Sequence, residues 1–160
     1  MHRTTRLIAL AVALMGAPVT ALAQQDEEAA VLAVMERMFD AMRAGDSTAL
    51  RDVLHPSATG ATTFVRDGVP TIQREASMDG FVQAVGTPHE AIWDERIGDP
   101  EVRIDGPLAT VWTPYAFYAG DQFSHCGVDA FQLFKGETGW KVFHVADTRR
   151  REGCETAEGS

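Results

Sequence analysis

Basic residues are scarce along this 160-residue chain: 14 Lys and Arg stand against 23 Asp and Glu, a formal net charge of −9. The only basic cluster after the N-terminus is Arg149-Arg150-Arg151. A nucleic-acid surface needs a basic stripe, and anionic membranes repel an acidic domain, so both partner classes are excluded. Cysteine is nearly absent too, with two residues, Cys126 and Cys154. The histidines His55, His89, His125 and His144 stand singly, without zinc-site spacing, so no metal is expected. No glycine-rich phosphate loop, dinucleotide fingerprint or G-x-S-x-G elbow occurs, so no cofactor and no serine nucleophile is expected. Internal repeats, low-complexity linkers and a second domain are also missing.

No apolar run approaches the roughly 20 residues of a membrane span. The longest lies at the start. His2, Arg3 and Arg6 precede Leu7 to Met15, and Ala21-Leu22-Ala23 follows, the pattern of a secretory leader with a small-x-small cleavage site. The expected organisation is a signal peptide over 1–23 and a single domain over 24–160, placed in the periplasm or secreted, with no membrane contact after cleavage. Losing Arg3 and Arg6 takes the domain to −11. Hydrophobic content of 45% excludes a disordered chain.

Within the domain, Val31, Val34, Met35, Met38 and Met42 recur with helical period, and Phe39 lies beside them. Asp26-Glu27-Glu28 is expected in the first turn of this helix, facing its dipole. Gly45 suits a left-handed helix end and Asp46 the N-cap of a short second helix that buries Leu50, Val53 and Leu54 and stops at His55-Pro56. A third helix begins near Ser77 and carries Phe81, Val82 and Val85. Strands are expected over 60–66, 90–96, 101–104, 109–118, 123–134 and 140–148, separated by turn residues such as Gly98-Asp99-Pro100, Gly120-Asp121 and Gly136 to Gly139. Helices followed by antiparallel strands give an α+β fold.

These residues carry a resemblance. The striped first helix, Ala44-Gly45-Asp46, Leu50 to Leu54 and His55-Pro56-Ser57-Ala58 resemble the opening of the nuclear transport factor two-like superfamily. Val111-Trp112, His125 to Phe131 and Gly139 to Val142 resemble its ending. The chain is most similar to the exported group labelled "putative lumazine-binding", close to SnoaL-like polyketide cyclases and ketosteroid isomerases, over roughly 26–148. The resemblance implies a cone, a curved antiparallel sheet wrapped over three N-terminal helices in a cystatin-like roll, with a pocket at its open end. It also implies homodimers formed through the convex sheet face, here with Val111, Tyr115, Phe117, Phe143 and Val145. The likeness to the isomerases stops at the first helix, which offers Val, Met and Phe but no tyrosine.

Counting outward from the two hairpin turns gives an expected strand pairing. It sets Phe131 opposite His144, Asp129 opposite Ala146, Trp112 opposite Asp129 and Ala116 opposite His125. One face then holds Thr110, Trp112, His125, Asp129, Phe131, Leu133, Val142 and His144, and the resemblance favours this face as the concave one. Asp129 and His144 become diagonal neighbours, the candidate catalytic acid–base pair, or else a polar pair that fixes sheet register. Trp112, His125, Phe131 and Tyr118 are the candidate ligand-binding residues, with strand and edge packing as the alternative for each. Cys126 and Cys154 suggest a disulfide in an exported domain, against two free thiols. The function expected is binding of a small apolar or aromatic molecule. A SnoaL-like cyclase, isomerase or dehydratase and a homodimeric assembly module are the alternatives.

Overall fold

A computed structural model describes residues 19–154. Most of the expected leader, residues 1–18, lies outside the described residues, and the rest of it begins the first helix. The elements are α1 (Val19–Ala44), α2 (Ser47–Val53), β1 (Leu54–Arg66), β2 (Val69–Glu75), α3 (Asp79–Gly86), β3 (Trp93–Ile97), β4 (Glu101–Asp105), β5 (Leu108–Ala119), β6 (Gln122–Gly136) and β7 (Gly139–Thr148). Because α1 begins at Val19, Asp26 to Glu28 lie beyond its first turn, a correction to their expected place.

Local chemistry sets the helix ends as expected. Gly45 takes φ 65°, which places no Cβ in conflict, and the Asp46 carboxylate accepts from Thr48 N at 3.0 Å and Ala49 N at 2.9 Å. The α2 helix gives way directly to β1, so His55-Pro56 opens a strand instead of a loop. Pro56 has no N–H to donate, and the β1–β7 ladder is irregular between Leu54 and Thr59. The β2 strand was not anticipated. It is mostly exposed, with Val69 and Ile72 outward, so it lacks the burial that marks a strand in sequence.

Seven strands form one curved, unclosed sheet in the order β2-β1-β7-β6-β5-β3, with β4 pairing β5. All pairs are antiparallel except β1 with β7, which is parallel, so the sheet is mixed and not wholly antiparallel. One face packs on the helices. Val31, Val34, Met35, Met38, Phe39 and Met42 of α1 meet Val111, Phe131, Leu133 and Val142 in a single core. Phe39 and Phe131 touch edge to face at 6.2 Å. At the far end of α1, the Glu27 carboxylate accepts from Lys135 Nζ at 2.5 Å and from Trp140 Nε1 at 3.1 Å, fastening the helix to the β6–β7 hairpin.

Candidate functional site

The hairpin turns fall where the sequence puts them, but each strand pair then slips by one residue. Phe134 pairs with Lys141 and Leu133 with Val142; beyond them a bulge at Phe143 shifts the ladder, so Gln132 faces His144 and Phe131 faces Val145. In β5–β6, Ala119 pairs with Gln122 and Tyr118 with Phe123, and a bulge at Ser124 then sets Phe117 opposite His125, Thr113 opposite Asp129 and Trp112 opposite Ala130. A one-residue slip moves side chains to the other face. The concave face therefore carries Val111, Thr113, Tyr115 and Phe117 of β5, His125, Asp129 and Phe131 of β6, and Val145 and Asp147 of β7.

Four expectations are corrected by this register. Asp129 and His144 are on opposite faces and form no acid–base pair: His144 shares a 2.8 Å hydrogen bond between Nδ1 and Thr59 Oγ1 on the other side. Trp112 lies on the convex face, 53% exposed. Tyr118 faces the same way, with the Arg96 guanidinium 4.1 Å above its ring. Conversely, Val111, Tyr115, Phe117 and Val145, expected on a convex dimer face, point inward. His125 and Phe131 are concave as expected, with Phe131 deep in the core and His125 nearer the end of the sheet. The Cys126–Cys154 disulfide is formed, and it lays the tail over Ala116 and Tyr118 on the convex side.

What the concave end gathers is an acid cluster. Strand β3 pairs antiparallel with β5, Glu95 opposite Phe117 and Ile97 opposite Tyr115, which turns Trp93, Glu95 and Ile97 inward. The Glu95 carboxyl, buried at the end of a partly exposed side chain, meets Asp129, which is 4% exposed. Burial pushes Glu95 up to about 7, against an ordinary 4.5, and a hydrogen bond from Asp129 and the Asp147 charge modulate it. Burial first, then the Glu95 charge, holds Asp129 well above the usual carboxylate range. Two acids this close, out of water, cannot both ionise near neutrality. The pair retains a proton, donated by Asp129 to Glu95. Asp129 Oδ2 accepts no hydrogen bond from any donor group among the described residues.

Around the pair, Tyr115 Oη donates to Asp147 Oδ2 at 3.2 Å and to Thr148 O at 3.0 Å, and burial keeps the phenol protonated. Gly127 makes room for that ring: a Cβ there would lie 1.7 Å from Thr148 O and 2.8 Å from Tyr115 Cε1. Towards the open end the rings of His89, Trp93, Phe117 and His125 follow one another in contact, with centroids 4.0, 6.1 and 5.0 Å apart in turn. Desolvation lowers His125 to about 4, so its imidazole is neutral at physiological pH. Among the described residues no three His, Cys, Asp or Glu are grouped as metal donors.

Sequence reasoning missed Glu95 and Asp147. Each was marked by alternation: Trp93-x-Glu95-x-Ile97 and Val145-x-Asp147 put an acid among inward apolar neighbours.

A curved, unclosed sheet packed over three helices is the fold of the nuclear transport factor two-like class. Solved structures agree on the fold. A protein of this class with a cystatin-like fold from Novosphingobium aromaticivorans superposes with TM-score 0.67 at 10% identity, covering 86% of this chain and 90% of that one. A CaMKII hub from S. rosetta gives 0.60 at 18% identity over 76% and 95%. A protein called a putative dehydratase from Streptomyces avermitilis gives 0.58 at 16% over 80% and 98%. Residues 26–145 match the family described as "putative lumazine-binding", and the chain belongs to it. No curated protein matches the sequence.

Proposed function

We propose that this chain is an exported domain that binds a small apolar or aromatic molecule at the concave end of its sheet, against Glu95 and Asp129. The supporting observation is the Asp129 carboxyl, sealed from solvent and given no hydrogen bond by any protein donor group. With Glu95 as its one side-chain partner, the carboxyl keeps acceptor capacity that a ligand N–H or O–H would use. His125, Phe117 and Trp93 supply flat walls for a ring system, and the few converging polar groups suit a small-molecule site. Export accords with the leader pattern and the Cys126–Cys154 bridge.

The test is a thermal-shift and native mass-spectrometric screen of aromatic and heteroaromatic compounds, beginning with lumazine because the family description carries its name. The expected result is a 1:1 complex weakened at least tenfold by Asp129→Asn. Absence of any ligand, or binding indifferent to Asp129→Asn and Glu95→Gln together, overturns the proposal.

One observation favours a catalytic version: an acid poised at about 7 is suited to proton transfer at neutral pH. In that reading the ionised Glu95 takes the substrate proton, Asp129 keeps its own proton and holds Glu95 in place through their hydrogen bond, and Glu95→Gln lowers the rate at least a hundredfold. A homodimer, in turn, would use Trp112 and the cross-strand pair Leu108–Phe134, which are exposed on the convex side. A monomer by light scattering at micromolar concentration would exclude it.

A further inference from the structure

Away from the concave face, strand β1 outruns its parallel neighbour. The last ladder pair is Thr63 with Thr148, closed by Arg149 N–H donating to Thr63 O at 2.8 Å. Beyond it the two chains part. The β1 strand continues through Phe64 and Val65 to its turn with β2, while Arg150 crosses to pair with Cys126 in both directions at 2.9 Å. The Cys126–Cys154 bridge fixes that departure, and the wedge left between is an open groove of about 490 Å³. Its walls are Phe64, Val65, Pro70 and Ile72, and Arg149 and Arg150 stand at its end. Val65 and Ile72 are 68% and 52% exposed, apolar surface left in water beside guanidinium groups.

Charge identifies what complements this groove. In a chain of net −9, two arginines line this groove, Arg149 and Arg150. Of these, Arg149 has a carboxylate partner, Asp147 at 3.4 Å, itself held by Tyr115. Arg150 has no ion pair among the described residues; its guanidinium donates to Gly153 O at 3.3 Å. Arginine forks carboxylates bidentately, and a volume in the rough range of 300–1,000 Å³ is that of small-molecule clefts.

We propose that the β1–β2 groove is a second binding site, separate from the concave acid cluster, for a small free amphipathic carboxylate: apolar body against Val65, Pro70 and Ile72, carboxylate on Arg149 and Arg150. Isothermal titration of the oxidised protein with decanoate, decanol and decyltrimethylammonium tests it. Decanoate is expected to bind 1:1, at least tenfold more tightly than either other probe and severalfold more weakly in 0.5 M salt. The double variant Arg149→Gln/Arg150→Gln should weaken it at least tenfold, and Ile72→Glu, at an already exposed position, should abolish it. Urea midpoints within error of the parent confirm that both variants are folded. Equal binding of the cationic probe, or decanoate binding unchanged in Ile72→Glu, overturns the proposal. So does loss of decanoate binding in Glu95→Gln/Asp129→Asn, because that places the probe on the concave face. Failure of the heteroaromatic screen leaves this outcome untouched.

Discussion

Replacing the acid pair by its neutral isosteres, Glu95→Gln/Asp129→Asn, should reverse the way stability responds to alkali. Both carboxyls have folded-state pKa values above their unfolded ones. The native protein therefore holds protons that the unfolded chain releases, and their contribution is complete below about pH 4.5 and lost as pH rises through the folded values. For Glu95, moving from 4.5 to about 7, the loss between pH 5 and pH 8 is on the order of 2–3 kcal/mol. Asp129 adds to it with the same sign. His125 works against both: its folded value, lowered to about 4, subtracts stability as pH falls below about 6.5. A profile of the parent alone would blend the two trends.

The difference between parent and double variant separates them, because desolvation and the Arg149 and Arg151 charges, opposed by Asp147 and not by the acid pair, are what lower His125. Urea unfolding followed by tryptophan fluorescence at pH 5, 6, 7 and 8 gives that difference. The parent should lose on the order of 2–3 kcal/mol relative to the variant across the range, with the steepest part below about pH 7.5. A difference constant within about 0.5 kcal/mol would refute the shared proton, and with it the chemical basis of the concave site.

Three further outcomes follow from single contacts. Gly127→Ala should destabilise by at least about 3 kcal/mol in urea, since its Cβ would collide with Thr148 O and the Tyr115 ring. Cys154→Ser opens a bridge spanning 28 residues of sequence and should cost about 3 kcal/mol by the same assay, with dithiothreitol lowering the parent and leaving the variant unchanged. Asp46→Ala removes the cap accepted from Thr48 and Ala49 and should cost about 1 kcal/mol, while Asp46→Ser should cost less.

The reach of the sequence ended where strand pairing left the turns. Gly120 and Gly139, both at positive φ, announced the two hairpins, and the pairs beside them, Ala119–Gln122 and Phe134–Lys141, are those that turn counting gives. The helix stripe and caps were equally legible, because helical period and capping chemistry are written within a few neighbouring residues. A bulge is not written that way. Ser124 and Phe143 are unremarkable strand residues, and what makes each of them the extra residue is a partner strand that local sequence does not describe. Two such insertions exchanged the faces of β5 and of the end of β7 while leaving His125, Asp129, Phe131, Leu133 and Val142 together. The buried acid was found, but its partner was misassigned: His144 was taken out of reach and Glu95, from the remote edge strand β3, brought in. Had β3 been read for the face of its charge, the acid between Trp93 and Ile97 would have pointed inward before any register was chosen. A carboxylate at an apolar-face position is energetically costly unless something shares its proton. That constraint would have tied Glu95 to Asp129 whichever way the bulges fell.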